Sequence, residues 1–139
     1  MAKNNFNQWS LAFLRAVFGF VFAYHGYLKL FAPGGFAGTV SFFAMIKIPL
    51  PLYSALIVSV VEFAGGIFLI FGMVTKLSSL LLLIDMLVAF LMVHMKNGFL
   101  ISKGGFEFVI ILIAGLVIIL VNGAGKISVG KLFKNKYLK

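Results

Sequence analysis

Four apolar stretches are each long enough to cross a bilayer, and they constrain the fold more than any other feature. Their approximate bounds are residues 9–31, 53–73, 76–95 and 106–121, and a hydrocarbon core of about 30 Å needs roughly 20 residues. The last and shortest stretch needs tilt or its flanks to span that thickness. With 63% hydrophobic and 11% charged residues, a water-soluble domain is excluded. The sequence therefore predicts an all-α fold, a transmembrane four-helix bundle, as a single domain over residues 1–139.

The connections between the stretches predict how the helices are arranged. Only Val74 and Thr75 join the second and third stretches, which requires an antiparallel helical hairpin, and Gly72 is expected to end the preceding helix. Residues 32–52, between the first two stretches, carry four apolar residues at helical spacing: Phe36, Val40, Phe43 and Ile46. This pattern predicts a short interfacial helix between spans 1 and 2. The alternative is a hydrophobic connector that covers the mouth of the bundle.

The few ionisable residues inside the apolar stretches are the main candidates for function. All three acids, the arginine and both histidines lie in these stretches or at their edges: Glu62, Asp85, Glu107, Arg15, His25 and His94. A charge at membrane depth costs about 2.5–3.5 kcal/mol, so it is retained mainly where it is paired, faces the bundle interior or takes part in chemistry. Gly65 and Gly66, one turn after Glu62, are expected to allow close helix contact.

Depth along each helix, counted at about 1.5 Å per residue, sorts these residues into two layers. Arg15 lies lowest, with Glu62 and Asp85 near the middle, and we predict a structural ion pair of Arg15 with Glu62 or Asp85. The second layer is predicted near the outer mouth of the bundle and contains four residues: His25, Lys29, His94 and Glu107.

The distribution of lysine predicts the orientation. With four spans, both termini and the Val74–Thr75 turn share one side, which carries seven lysines: Lys3, Lys76, Lys126, Lys131, Lys134, Lys136 and Lys139. The other side carries four: Lys29, Lys47, Lys96 and Lys103. This difference favours a multi-pass protein of the cell membrane with both termini in the cytoplasm. Topology and the anionic headgroups of the lipid bilayer also explain the net charge of +9, so nucleic acid is not an expected partner.

Four short motifs occur in order along the chain. They are His-Gly-x-x-Lys from His25, Glu-x-x-Gly-Gly from Glu62, His-x-x-Asn-Gly-Phe from His94 and Gly-Gly-x-Glu from Gly104. Over about residues 11–129 this ordered set resembles the DoxX family of small four-span membrane proteins. The resemblance implies a small membrane subunit of a redox system, quinone-linked and associated with sulfur, thiol or oxidative-stress metabolism.

A mechanism can be drawn from the residues beside that resemblance. Reduction of a quinone needs protons as well as electrons, and the predicted proton carriers are Glu62, Asp85 and Glu107. The predicted substrate-binding or quinone-binding residues are His25, Lys29, His94 and Asn97. With both histidines neutral, the embedded acids outnumber Arg15 and Lys29, so one acid is expected to hold a proton or one histidine a charge. Electrons must come from elsewhere, because the chain has no cysteine and no recognised flavin or nicotinamide motif.

Other functions stay open at this point, including whether the chain is itself an enzyme. One alternative is a non-catalytic membrane scaffold that docks a soluble oxidoreductase, and another is a small carrier of solute or protons. In either case the ionisable residues serve packing or transport rather than redox chemistry. A protein partner or a homo-oligomer is expected. Metal is not expected, and two histidines alone are weak support for haem ligation.

Overall fold

The computed structural model describes residues 2–131, and the regular structure within them is helical. The α-helices are α1 (Ala2–Phe31), α2 (Gly35–Met45), α3 (Pro51–Phe71), α4 (Thr75–Ala89) and α5 (Glu107–Asn122). A π-helical turn continues α4, and three short 3₁₀ turns follow: Phe90–His94, then Met95–Asn97, Ile101–Lys103 and Val129–Lys131. The predicted all-α fold is confirmed.

Three helical segments are long and apolar enough to cross a membrane: Gln8–Phe31, Pro51–Phe71 and Thr75–Asn97. With 16 residues, α5 is about 24 Å long and is shorter than the other three. It nevertheless completes the bundle, because α1 contacts α3, α3 contacts α4, α4 contacts α5, and α5 contacts α1 again. The core between these helices is apolar and includes Phe22, Leu69, Leu82, Leu116 and Ile119.

Helices α1 and α3 approach each other closely where Gly19 of α1 meets Gly66 of α3. A Cβ on Gly66 would lie 2.3 Å from the backbone nitrogen of Ala23 and 2.6 Å from the carbonyl oxygen of Gly19. A Cβ on Gly65 would instead meet the Leu82 side chain at an ordinary 3.4 Å. In membrane proteins, small residues allow the backbones of two helices to come this close. The predicted close contact is therefore confirmed for Gly66.

Helix α3 ends at Gly72, as predicted. Gly72 has a φ of +69°, which favours glycine. The N–H groups of Gly72 and Met73 donate to the carbonyl oxygens of Leu69 and Phe68 and close the helix. Helix α4 begins at Thr75, three residues after Gly72, so α3 and α4 form the expected hairpin.

The predicted short helix between the first two spans is α2. It contacts α1 and α3 and has no buried residue of its own. The four residues of its predicted apolar stripe are all half-buried: Phe36, Val40, Phe43 and Ile46. Helix α2 therefore lies over one end of the bundle, with this stripe turned partly inward.

Arg15 contacts several segments at the opposite end of the bundle. Its Nη1 donates to the carbonyl oxygen of Ala124, and its Nη2 donates to that of Ile127 at 2.8 Å. The guanidinium also lies against Gly72, because a Cβ there would be 2.6 Å from Nη1. The amino-terminal half of α1, the α3–α4 turn and the segment after α5 thus meet at the same end.

Candidate functional site

A cavity of about 910 Å³ lies between α2 and the end of the bundle that α2 covers. Each of the five α-helices contributes to its wall, which is mostly apolar and includes Phe22, Phe42, Ile57, Met86 and Leu112. The volume falls within the range of about 300–1,000 Å³ that is typical of ligand pockets. Seven polar or ionisable side chains also line it: His25, Lys29, Thr39, Ser54, Glu62, Asp85 and His94. Five of these are predicted site residues, so the fold brings most of the predicted set together.

Three ionisable residues from three helices meet on this wall. Lys29 Nζ of α1 lies 2.5 Å from Glu62 Oε2 of α3, and the Glu62 carboxylate is buried. Asp85 of α4 interacts electrostatically with both Glu62 and Lys29, and its side chain contacts that of Glu62. Among the described residues, Asp85 Oδ2 is buried without a hydrogen-bond partner. We call Lys29, Glu62 and Asp85 the charged triad.

The charged triad corrects the predicted ion pair of Arg15 with Glu62 or Asp85. Within the described part of the chain, the salt bridge of Glu62 is with Lys29, and Arg15 donates to backbone carbonyl groups instead. Arg15 and Lys29 lie about four helical turns apart along α1. The buried Arg15 guanidinium lies where α3 and α5 end, and the negative ends of their helix dipoles favour a cation there.

The two histidines on the wall have the same hydrogen-bond arrangement. His25 Nδ1 lies 2.8 Å from the carbonyl oxygen of Val21, and His94 Nδ1 lies 2.7 Å from that of Gly104. A carbonyl oxygen only accepts, so Nδ1 carries the hydrogen and donates in both rings. Each neutral ring therefore keeps Nε2 as a hydrogen-bond acceptor. His94 ends the π-helical turn after α4, and such turns often occur at functional sites.

Asn97 and Glu107 are predicted site residues that are not among the described residues of the cavity wall. Asn97 Nδ2 donates to the carbonyl oxygens of Val93 and Gly104, at 3.3 and 3.2 Å, and so holds the loop after the π-helical turn. Glu107 begins α5, where a carboxylate is favoured by the helix dipole. Its backbone N–H donates to the carbonyl oxygen of Phe99 at 2.9 Å. Of the predicted outer layer, His25, Lys29 and His94 therefore line the cavity, and Glu107 is not among its described lining residues.

Thr39 and Ser54 are wall residues that the sequence analysis did not identify. Thr39 Oγ1 donates to the carbonyl oxygen of Gly35 at 2.9 Å, and Ser54 Oγ donates to that of Pro49 at 2.7 Å. Both hydroxyl groups thus hydrogen-bond backbone carbonyl oxygens close in sequence, as Ser and Thr side chains commonly do. Their place on the wall depends on how α2 lies over the bundle, and no sequence pattern indicates this. Within residues 2–131, no group of three or more His, Cys, Asp or Glu side chains is placed to hold a metal ion.

Comparison with known proteins identifies the family. The sequence model of the DoxX family matches residues 10–95, more than half of the chain. The chain belongs to the DoxX family. The matched region contains all seven polar residues of the cavity wall. With three helices long enough to cross a bilayer, this DoxX protein is a membrane protein.

Two relatives differ in how much of the chain they share. A Bacillus subtilis (strain 168) protein named "Putative oxidoreductase CatD" is 29% identical over 99 residues, which are 71% of this chain and 69% of that protein. A Haemophilus influenzae (strain ATCC 51907 / DSM 11121 / KW20 / Rd) protein named "Uncharacterized protein" is 36% identical over 69 residues, 50% of this chain and 46% of its own. No solved structure matches the chain.

Proposed function

We propose that this DoxX protein is a small membrane subunit of a redox system and that its cavity binds a lipid-soluble quinone. The observation that carries the proposal is the mostly apolar cavity of about 910 Å³ in which two histidines and the charged triad share one wall. A quinone has an apolar ring and tail with polar oxygen atoms, which such a wall suits. The oxidoreductase name of the Bacillus subtilis relative supports a redox association.

The wall residues have separate roles in this proposal. Nε2 of His25 and of His94 accepts hydrogen bonds from the hydroxyl groups that the ring carries in its reduced form, while apolar residues such as Phe22 and Met86 hold its body. A bound quinone exchanges electrons and protons. The charged triad has two carboxyl groups and a single ammonium in an apolar interior, and we propose that Glu62 and Asp85 exchange protons with the bound ring. The electrons come from a partner protein, because the chain has no cysteine and no recognised flavin or nicotinamide motif.

Replacing His25 or His94 with Gln tests this function. Gln keeps a polar side chain but removes the imidazole Nε2, so the total of quinone and quinol retained by the purified protein should fall about tenfold, while the melting temperature in detergent stays within a few degrees. Quinone is extracted and quantified beside the melting curve of each variant. The control is Asn122→Ala, because the side chain of Asn122 is exposed at the far end of α5. Unchanged quinone retention with a lowered melting temperature would mean that the histidines only pack, as in a scaffold subunit.

Both termini are proposed to face the cytoplasm. The meeting of the α3–α4 turn with the segment after α5 supports an arrangement in which α1, α3, α4 and α5 alternate in direction, and Lys126 N–H also donates to Gln8 Oε1 at 2.6 Å. Reporter fusions should place Lys47, in the α2–α3 connection, outside and Lys139, which lies beyond the described residues, inside. The same side for both positions would contradict four spans.

A further inference from the structure

We infer that the cavity selects the reduced quinol, which carries hydroxyl groups, over the oxidised quinone. The inference rests on the proposed function and adds which redox form the site prefers. A quinol donates hydrogen bonds through its two hydroxyl groups, whereas a quinone offers only carbonyl oxygens that accept. The preference therefore depends on whether the cavity wall presents donors or acceptors.

The uncharged polar side chains of the wall present acceptors. Nδ1 of His25 and of His94 is already committed to a backbone carbonyl oxygen, which leaves Nε2 as the free nitrogen of each neutral ring. The hydroxyl hydrogens of Thr39 and Ser54 are likewise donated to backbone carbonyl oxygens. A group that approaches any of these four side chains therefore finds a lone pair rather than a hydrogen.

The charged triad adds a further acceptor. Asp85 Oδ2 is buried on the wall without a hydrogen-bond partner among the described residues. Lys29 is the one ammonium on the described wall, and it is held 2.5 Å from Glu62 while it also faces Asp85. A quinone oxygen would have to share this ammonium with the Glu62 carboxylate, to which it already donates.

The two redox forms therefore meet different environments in one cavity. Hydroxyl groups of the quinol can donate to Nε2 of His25 or His94, or to Asp85 Oδ2, which is buried without a hydrogen-bond partner among the described residues. The carbonyl oxygens of the quinone would face these acceptors without a hydrogen between them, and an unpaired buried polar group is costly. Both forms share the apolar ring and tail, so the apolar wall does not distinguish them.

A binding measurement on the purified full chain in detergent tests the inference. The probes are a benzoquinone with one isoprenoid unit and its chemically reduced quinol, titrated without oxygen by calorimetry. We expect the quinol to bind at least about tenfold more tightly than the quinone. In His25→Gln and His94→Gln, the amide supplies an N–H donor as well as an acceptor, so the ratio of the two dissociation constants should fall towards one. Asn122→Ala should keep the wild-type ratio.

The possible results separate this inference from the proposed function. Equal affinity, or tighter binding of the quinone by the wild type, would overturn the selectivity and leave a quinone site in place. Binding of neither probe would overturn both. A histidine with a purely structural role would lower the melting temperature when replaced and leave the ratio unchanged, which would contradict the assignment to His25 and His94. Should a variant fail to fold, the wild-type ratio still decides the inference.

Discussion

Replacing Lys29 with Met is expected to lower the free energy of unfolding by roughly 3–5 kcal/mol, because it leaves buried carboxyl groups without their cation. The Glu62 side chain is only 5% exposed and has Lys29 Nζ at 2.5 Å, and Asp85 lies beside both. Met keeps most of the apolar stem of lysine, so the loss reflects charge rather than packing. Equilibrium unfolding in mixed detergent micelles measures the effect.

A double-mutant cycle separates pairing from general damage at this position. Lys29→Met combined with Glu62→Gln should recover much of the lost stability, because the double variant no longer buries an unpaired Glu62 charge. Lys96→Met removes an exposed lysine beyond the π-helical turn and should change stability by less than about 0.5 kcal/mol. If the losses from Lys29→Met and Glu62→Gln simply add, the two side chains do not stabilise each other.

The sequence was sufficient to predict the helices because each is bounded by a strong local signal. The apolar runs give the lengths, Gly72 with its positive φ ends α3, and the short connection between α3 and α4 requires the hairpin. That hairpin also fixes Glu62 and Asp85 at similar depth, because both lie about three turns from it. Their contact across the α3–α4 pair was therefore predictable from the sequence.

The partner of Glu62 was not predictable, because it depends on how α1 crosses the hairpin. Arg15 and Lys29 lie on the same helix, and counting residues favoured Arg15. The acceptors that Arg15 uses are carbonyl groups of Ala124 and Ile127, which are remote in sequence and adjacent only in the folded chain. Every residue has a backbone carbonyl group, so the sequence does not indicate which of them will accept from Arg15.

The position of α2 was also not predictable from sequence patterns. Its apolar stripe predicted a short helix, and the structure has one, with the stripe half-buried. Whether α2 lay in the membrane interface or covered the mouth of the bundle was left open, and the structure places it over the cavity. Thr39 and Ser54 reach the wall for this reason, whereas Glu107 remains at the start of α5. Tertiary packing, rather than helix periodicity, decides these placements.

Replacing Gly66 with Ala should lower the free energy of unfolding by about 2–3 kcal/mol, because the new methyl group meets backbone that cannot rotate away. Its Cβ would lie 2.3 Å from the nitrogen of Ala23 and 2.6 Å from the oxygen of Gly19, so α1 must move away from α3. Glu62 precedes Gly66 by one turn on α3. The same displacement should therefore lengthen the salt bridge to Lys29 and weaken quinone retention.

Gly65 supplies the matched control, since it is the neighbouring residue on the same helix. A Cβ there meets the Leu82 side chain at 3.4 Å, which is ordinary contact. Alanine is also favoured over glycine in a helix by about 1 kcal/mol, so Gly65→Ala should be neutral or slightly stabilising. Unfolding in micelles and quinone retention are measured for both variants. Equal losses would show that general sensitivity of α3 to substitution, rather than its close approach to α1, governs stability. A loss confined to Gly66→Ala would instead link the α1–α3 contact to the geometry of the charged triad.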